Sequence, residues 1–139
     1  MDTEGVFAPT TPEEVRERFE GLAITARTLV TEIAGAMDLP QEAYEERVTP
    51  EVVATAREAL FASLLVVHVG TREEYEDWLG ERGGDPLVVE VGSEHVDRVA
   101  WHDAPAAGTV VAATFEDEPA AAVETLRRQA FGRCYRELV

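Results

Sequence analysis

The chain contains no lysine and no asparagine, and all 12 of its basic residues are arginines. A lysine amine at a defined position is needed by Walker-type phosphate loops, protein kinases, Schiff-base enzymes and pyridoxal-phosphate enzymes, so these classes are excluded. GERGG at 80–84 follows a helical pattern, whereas a dinucleotide-binding fingerprint opens a helix after a strand. The motifs HExxH and GxSxG are absent as well. We therefore expect no cofactor.

Cysteine and long apolar runs are also scarce. The single cysteine, Cys134, excludes an intramolecular disulfide and a zinc site built from several thiolates. No apolar run approaches the roughly 20 residues that span a bilayer, and MDTEGVFAPTTPEE lacks the basic start and apolar core of a signal peptide. These absences predict a cytoplasmic protein. A chain of 139 residues suits one globular domain over 1–139, with residues 1–10 loosely ordered.

Acidic side chains dominate the composition, because 28 Asp and Glu against 12 Arg give a formal net charge of −16. Repulsion among these charges destabilises a compact state, and molar salt suppresses it by shortening the screening length to about 3 Å. The composition therefore predicts a halophilic protein that works in a salt-rich cytoplasm. In this interpretation the acidity reflects the solvent more than any partner.

Two helix starts are marked by TPEEV at 11–15 and TPEVV at 49–53, where threonine is the N-cap and proline takes the first helical position. An apolar stripe with four-three spacing extends the first helix to about Met37. This stripe permits a dimeric coiled-coil seam, but we favour packing within the domain. Residues 38–48 are expected to form a connector with a short helical turn. No glycine or proline interrupts ALFASLLVVHV before Gly70, so the second helix is expected to run to about residue 67.

A capping box formed by Thr71 and Glu74 starts a shorter helix over 72–79. Runs rich in β-branched residues then predict strands at 87–91, 96–102 and 109–115, and their short connections favour an antiparallel meander. The last helix begins near Asp117 or Glu118 and buries Cys134 as a small apolar side chain. The predicted fold is α+β: an N-terminal helical hairpin plus a short helix, a three-stranded antiparallel β-meander and a C-terminal helix packed on the core.

The three histidines suggest different roles. His102, with Asp103, is the best catalytic candidate, because it lies where a strand meets the loop DAPAAG and functional residues often lie on such loops. For His68 we favour a structural role near the end of a helix, where an imidazole can donate to the last carbonyls. We expect no metal site, since His95 and His102 would lie roughly 23 Å apart on a strand. His68 and His102 are the weak remaining metal candidates.

The C-terminal segment 127–139 is basic, with four arginines against one glutamate. Arg128, Arg133 and Arg136 fall on the side away from the apolar stripe. They are candidates for binding a partner's acidic surface or phosphates, although we prefer pairing with the chain's own carboxylates. Arg127 falls within the stripe, so we predict that it forms a structural ion pair or reaches past its neighbours to water.

Three segments of the chain resemble a known family: ATAREALFASLLVVHVGTREEYEDWL, GSEHVDRVAWHDAP and TVVAATFEDEPAAAVETLRRQAFGRCYREL. They are similar to a family of small haloarchaeal proteins with a domain of unknown function. The resemblance covers nearly the whole chain and agrees with the acidic composition. It implies no activity, cofactor or catalytic residue.

Three classes of function remain open. We favour a small cytosolic, salt-adapted interaction or regulatory module without catalytic activity, which binds a protein partner or forms a homodimer, because no assembled catalytic set is visible. The second class is a small histidine/carboxylate enzyme or metal-binding protein, which a clustered pocket would favour. The third is a weak nucleic-acid binder that uses the C-terminal arginines, and molar salt disfavours it.

The net charge predicts that salt stabilises the fold. We expect the melting temperature to be at least about 4 °C higher in 3 M than in 0.1 M KCl, a shift equivalent to about 1 kcal/mol in a domain of this size. Circular dichroism at 222 nm measures it, with a near-neutral protein of similar length as the control for general salt effects. Equal melting temperatures in the two buffers would contradict the salt-adapted interpretation.

Overall fold

Helices and strands both occur along the chain, and the predicted α+β class holds. A computed structural model describes all 139 residues, Met1–Val139. The helices are α1 (Pro12–Glu20), α2 (Ala23–Ala36), α3 (Gln41–Arg47), α4 (Pro50–Ser63), α5 (Arg72–Arg82) and α6 (Pro119–Ala130). The strands are β1 (Asp2–Glu4), β2 (Val67–Thr71), β3 (Leu87–Val91), β4 (Arg98–Ala104) and β5 (Thr109–Phe115). A 3-10 turn, Pro105–Ala107, joins β4 to β5, and α6 continues through a π-helical turn, Phe131–Tyr135, and a 3-10 turn, Arg136–Leu138.

The strands form one mixed sheet with the order β1-β2-β4-β5-β3. All neighbours are antiparallel except β3 and β5, which run parallel. The predicted three-stranded antiparallel meander is therefore wrong, because β3 lies beyond β5 at the sheet edge and does not pair with β4. The six residues between β3 and β4 reach about 20 Å when extended, whereas crossing β5 needs about 10 Å. The short connection between β3 and β4 therefore does not require these two strands to be neighbours in the sheet.

The predicted bounds of β3 and β5 agree with the structure, and β4 is shifted by two residues from the predicted 96–102. It extends to Ala104 because the turn into β5 starts only at Pro105 and ends at Gly108, which has the left-handed φ of 59°. Within residues 1–10, expected to be loosely ordered, β1 pairs with β2 at the opposite edge of the sheet.

The two faces of the sheet pack against different helices. The larger core lies between one face and the helices α4 and α6, and its centre is Phe61, whose ring contacts four other aromatic rings: Phe7, Phe19, Phe131 and Tyr135. The smaller core lies under α5 and contains Tyr75, Val99 and Trp101. Successive residues of β4 therefore alternate between the two cores, as strand geometry requires.

The single helix predicted to end near Met37 is broken at Gly21 into α1 and α2. A glycine costs about 1 kcal/mol relative to alanine within a helix. Arg57 on α4 also stabilises the break, because its Nε donates to the Phe19 carbonyl at 2.7 Å and its guanidinium lies 4.1 Å from the centre of the Phe19 ring. The break lets α1 stay on the core while α2 pairs with α4.

The chain changes from helix to strand over residues 64–66, which we call the 64–66 turn. The predicted continuation of the second helix to about residue 67 is wrong, since α4 ends at Ser63 and β2 begins at Val67. Without glycine or proline, the turn instead has its carbonyls bound by distant parts of the chain. The Leu64 carbonyl accepts from the N–H groups of Val6 (2.8 Å) and Phe7 (2.7 Å).

The Leu65 carbonyl is bound by Arg127 of α6. Nε and Nη2 of Arg127 donate to this oxygen at 3.0 and 2.9 Å. Nη1 lies 3.7 Å from the Glu4 carboxylate, and the arginine side chain is only 16% exposed. The hydrogen bonds of Arg127 therefore go to the Leu65 carbonyl, and the ion pair with Glu4 is a second, longer contact.

Removing the arginine should destabilise the 64–66 turn. We expect Arg127→Met to lower the free energy of unfolding by about 1–3 kcal/mol, because the buried Leu65 carbonyl loses both donors. Chemical denaturation at constant molar salt measures the change. The control is Arg128→Met on the same helix, where the exposed guanidinium makes no hydrogen bond or ion pair, and we expect a change within about 0.5 kcal/mol. Equal effects of the two substitutions would show that the Leu65 contact contributes nothing.

Candidate functional site

A cavity of about 210 Å³, the histidine pocket, lies where β2 begins and β4 ends. It brings His68 together with His102 and Asp103, the pair predicted from the sequence as catalytic candidates. Its complete lining is Ala8, Thr10, Val66, His68, Trp78, His102, Asp103 and Pro105. Pairing of β2 with β4 places these distant segments side by side.

His102 is a buried bridge with 1% exposure. Its Nδ1 lies 2.6 Å from the Val66 carbonyl, and its Nε2 lies 2.5 Å from the Tyr135 hydroxyl. A carbonyl can only accept, so Nδ1 carries the proton and Nε2 accepts from the tyrosine. Burial lowers the pKa of His102 and opposes the charged form. In this arrangement neither ring nitrogen is free for a substrate, and catalysis by His102 stays a prediction.

His68 lies on β2 opposite Trp101 of β4, and not at the end of a helix as predicted. Its ring centre is 5.6 Å from that of Trp101 and 5.8 Å from that of Trp78. Nδ1 lies 3.0 Å from the Thr3 hydroxyl, and Nε2 makes no hydrogen bond within the chain. Burial lowers the pKa of His68, and the Asp103 carboxylate opposes this shift. His68 therefore has one ring nitrogen without a partner, and burial favours its neutral form.

Asp103 faces the same side of the sheet as Trp101, and its Oδ1 accepts from Nε of Arg82 at 2.9 Å. Arg82 is the last residue of α5. At the other end of this helix, Thr71 and Glu74 form the predicted capping box, in which each side chain accepts from the other residue's N–H. Because both ends of α5 are held, Trp78 between them is fixed at the wall of the histidine pocket.

The structure contains no group of three or more His, Cys, Asp or Glu side chains that could hold a metal ion. His68 and His102 reach the same pocket, but both nitrogens of His102 are already bound. Cys134 is buried, and burial raises the pKa of its thiol to about 11. The thiol is therefore protonated at neutral pH, so it is a poor nucleophile.

The exposed C-terminal arginines do not line the histidine pocket. Arg128 has no bonded partner, whereas Nε of Arg133 donates to the Gln129 side chain at 3.0 Å. Arg136 lies 4.0 Å from the Glu58 carboxylate and stacks over the Phe131 ring. These three guanidinium groups lie along α6 and its continuation and share no bonded partner.

A second depression, the hairpin groove, lies between the C-terminal half of α2, the helix α3 and the start of α4. Its volume is about 230 Å³, and its lining is Val30, Ile33, Ala34, Met37, Leu39, Arg47, Val48 and Val52. Three of these apolar side chains are largely exposed: Ile33 (54%), Met37 (53%) and Val52 (42%). The exposed Arg47 forms no ion pair or hydrogen bond.

Sequence reasoning did not identify the hairpin groove, although one signal was present. The apolar stripe predicted for the first helix reached Met37 and was wider than the seam of a coiled coil needs. A stripe of this width could therefore have been predicted to contact a second chain. Trp78 and Thr10 of the histidine pocket were also missed. The capping box at Thr71 indicated the helix that carries Trp78, whereas no sequence pattern indicated Thr10.

One protein-family model matches residues 6–136, nearly the whole chain. The chain belongs to DUF5809, a family of unknown function. No curated protein and no solved structure matches it. The predicted resemblance to a family of unknown function is thus confirmed, and the haloarchaeal source stays a prediction. None of the helices in this DUF5809 chain combines the length and apolar character needed to cross a membrane.

The buried His102 gives this DUF5809 protein a specific pH dependence. Its lowered pKa means that below about pH 6.5 the unfolded imidazole takes up a proton while the folded one stays neutral, so stability falls as the pH falls. We expect His102→Gln to reduce this loss by up to about 1.4 kcal/mol for each pH unit over which folded His102 stays neutral. Denaturation at pH 7.5 and 5.5 measures it.

His95→Gln is the matched control for this pH experiment, since the His95 side chain is 87% exposed. We expect this variant to lose as much stability between pH 7.5 and 5.5 as the unmodified chain. If His102→Gln loses as much as His95→Gln, the buried imidazole is not a source of the pH dependence.

Proposed function

We propose that this chain is an interaction module that binds an amphipathic helix of a partner protein in the hairpin groove. The observation that carries the proposal is the groove itself, where seven apolar residues and one unpaired arginine meet on the surface of a chain with a net charge of −16. Contiguous exposed apolar surface with a polar rim is typical of protein interaction sites.

The packing of α2 supports this interpretation. The residues of α2 that are buried are alanines, Ala26 and Ala34, whereas Ile33 of the same helix and Met37, which follows its end, are more than half exposed. If stability of the isolated domain were the only requirement, burying the larger side chains would contribute more. Exposed Ile33 and Met37 can still bury apolar surface if another chain covers them, and this burial would then stabilise the complex.

The shape and charge of the hairpin groove favour one kind of occupant. A groove between helices accepts apolar side chains spaced at i, i+3, i+4 and i+7 on a partner helix. Met37 adapts its shape to such a partner because its side chain is flexible. Arg47 favours a carboxylate beside the apolar stripe, since a guanidinium and a carboxylate form strong paired hydrogen bonds. We therefore propose a partner helix with an apolar stripe and a flanking acidic residue.

A second copy of this chain is a less favourable occupant. Packed groove to groove, a second copy would face Arg47 with the same lining, which contains no carboxylate. Nucleic acid is disfavoured because molar salt weakens phosphate contacts and because the arginines are dispersed. The salt-adapted character and the cytoplasmic location are part of the proposal and rest on the composition. An enzyme is the alternative, because His68 and Asp103 share a pocket. Both ring nitrogens of His102 are hydrogen-bonded within the chain, however, so His102 does not complete a catalytic set with them.

Synthetic peptides test the proposal. The probes are fluorescein-labelled helical peptides with leucine, isoleucine, phenylalanine or methionine in the apolar stripe and glutamate beside it, each with a twin that carries lysine instead. We expect at least one glutamate peptide to bind at molar KCl, measured by fluorescence anisotropy, and its lysine twin to bind about tenfold more weakly, a difference of about 1.4 kcal/mol.

Two substitutions on α2 separate groove binding from a general effect. Ile33→Glu places a charge in the groove and should weaken peptide binding at least tenfold. Ile24→Glu is the control, because Ile24 is 81% exposed on the same helix and does not line the groove. The proposal fails if no peptide binds or if both variants bind equally well. A concentration-dependent dimer that Ile33→Glu dissociates, seen by analytical ultracentrifugation, would overturn it in favour of a second copy.

A further inference from the structure

Among the polar side chains that line the histidine pocket, Thr10 and His102 donate their hydrogen bonds within the chain, whereas the indole N–H of Trp78 makes none. The hydroxyl and the N–H of Thr10 both donate to Oε2 of Glu14, at 3.2 and 2.9 Å. Nδ1 of His102 donates to the Val66 carbonyl. Oδ2 of Asp103, in contrast, has no partner, since Arg82 binds Oδ1. A molecule in this pocket therefore meets a free carboxylate oxygen that accepts hydrogen bonds and the indole N–H of Trp78 as a free donor.

His68 adds a second acceptor to the pocket. Its pairing with the Thr3 hydroxyl occupies Nδ1. The tautomer with the proton on Nδ1 donates that proton to Thr3 and leaves a lone pair on Nε2. The Thr3 hydroxyl can pair with Nδ1 in either tautomer, and a ligand N–H selects this one by donating to Nε2. Nε2 of His68 and Oδ2 of Asp103 are then two acceptors that the fold does not use.

The charge of the pocket selects the sign of a ligand. Asp103 is the only residue of its lining that is charged when the histidines are neutral. Its partner Arg82 does not line the pocket. Arg82 compensates the charge at Oδ1, whereas the free Oδ2 attracts a cation and repels an anion at short range, where salt screens least.

Aromatic rings form one wall of the pocket. The centre of the Trp78 ring lies 5.8 Å from that of His68 and 6.0 Å from that of Trp101. The face of a tryptophan ring attracts cations because its quadrupole is negative there. Trp101 is fully buried behind this wall, and its indole N–H has no hydrogen-bond partner. A carboxylate beside a tryptophan face is a favourable environment for an organic cation.

We propose that the histidine pocket binds a small organic ammonium ion, with its charge between Asp103 and the Trp78 ring and one N–H donated to Nε2 of His68. A volume of about 210 Å³ holds about seven water-sized groups, since one water occupies about 30 Å³ of the liquid. The ligand class is therefore a primary alkylammonium with a short or branched apolar part. This site is separate from the hairpin groove and shares no lining residue with it.

Three probes of nearly equal shape test the ligand's charge. They are tert-butylammonium, the neutral tert-butanol and the anion pivalate, added at constant ionic strength in KCl at pH 7.5. Trp78 and Trp101 are the only tryptophans of the chain, so fluorescence reports on this site. We expect a saturable change with tert-butylammonium, at least tenfold weaker binding of tert-butanol and no binding of pivalate. Equal responses to the three probes, or no saturable response to tert-butylammonium, would overturn the proposal.

Substitutions test the position of the ligand. Asp103→Asn removes the charge and should weaken tert-butylammonium binding at least tenfold. Asp85→Asn, in an exposed loop outside the pocket, should leave it unchanged. Circular dichroism and thermal melting establish that each variant is folded. Unchanged affinity in folded Asp103→Asn contradicts the proposal.

Two further variants keep the test decisive if Asp103→Asn does not fold. Trp78→Leu should weaken binding, measured by isothermal titration calorimetry because a fluorophore is lost, and unchanged affinity in this variant contradicts the proposal as well. Ile33→Glu in the hairpin groove should not alter ammonium binding. The same variant weakens peptide binding under the proposed function, so failure of either proposal is recognised independently of the other.

Discussion

The structure depends on the binding of the carbonyl groups of the 64–66 turn by distant parts of the chain. An isolated helix end leaves carbonyl groups without partners, and burying them unpaired is costly. Here the N-terminal segment binds the Leu64 carbonyl, Arg127 binds the Leu65 carbonyl and His102 binds the Val66 carbonyl. Three consecutive backbone groups therefore connect the N-terminus, the central strand β4 and the last helix α6.

This turn also determines what the neighbouring surface can do. By binding Val66 and Tyr135, His102 fixes the start of β2 and closes one side of the histidine pocket. His68 two residues further along is left with a free nitrogen, because its side chain projects to the opposite face of the sheet. Both histidines line the pocket, but both ring nitrogens of His102 are bonded within the fold, whereas Nε2 of His68 can bind a ligand. The difference comes from the neighbouring groups and not from the residue type.

Local signals were sufficient for a large part of the fold and insufficient where tertiary contacts decide. Threonine caps correctly located the starts of α1, α4 and α5, the first two with proline at the first turn, and β-branched runs located β3 and β5. The 64–66 turn was missed because its stabilising partners are Arg127 and His102, tens of residues away. The edge position of β3 was missed because a short connection limits the distance between strands but not their order. His102 was selected together with its neighbour Asp103, and only the pairing of β2 with β4 places His68 in the same pocket.

The dependence of the 64–66 turn on Arg127 has a consequence for the order of folding. During synthesis the N-terminal part of a chain emerges first, and residues 59–67 leave the ribosome well before α6. When residues 64–66 emerge, the N-terminal segment that binds the Leu64 carbonyl is already present, whereas the donor to the Leu65 carbonyl is not. The native contacts of this turn are therefore complete only when α6 has been made. The C-terminal helix thus acts on the conformation of a segment made long before it.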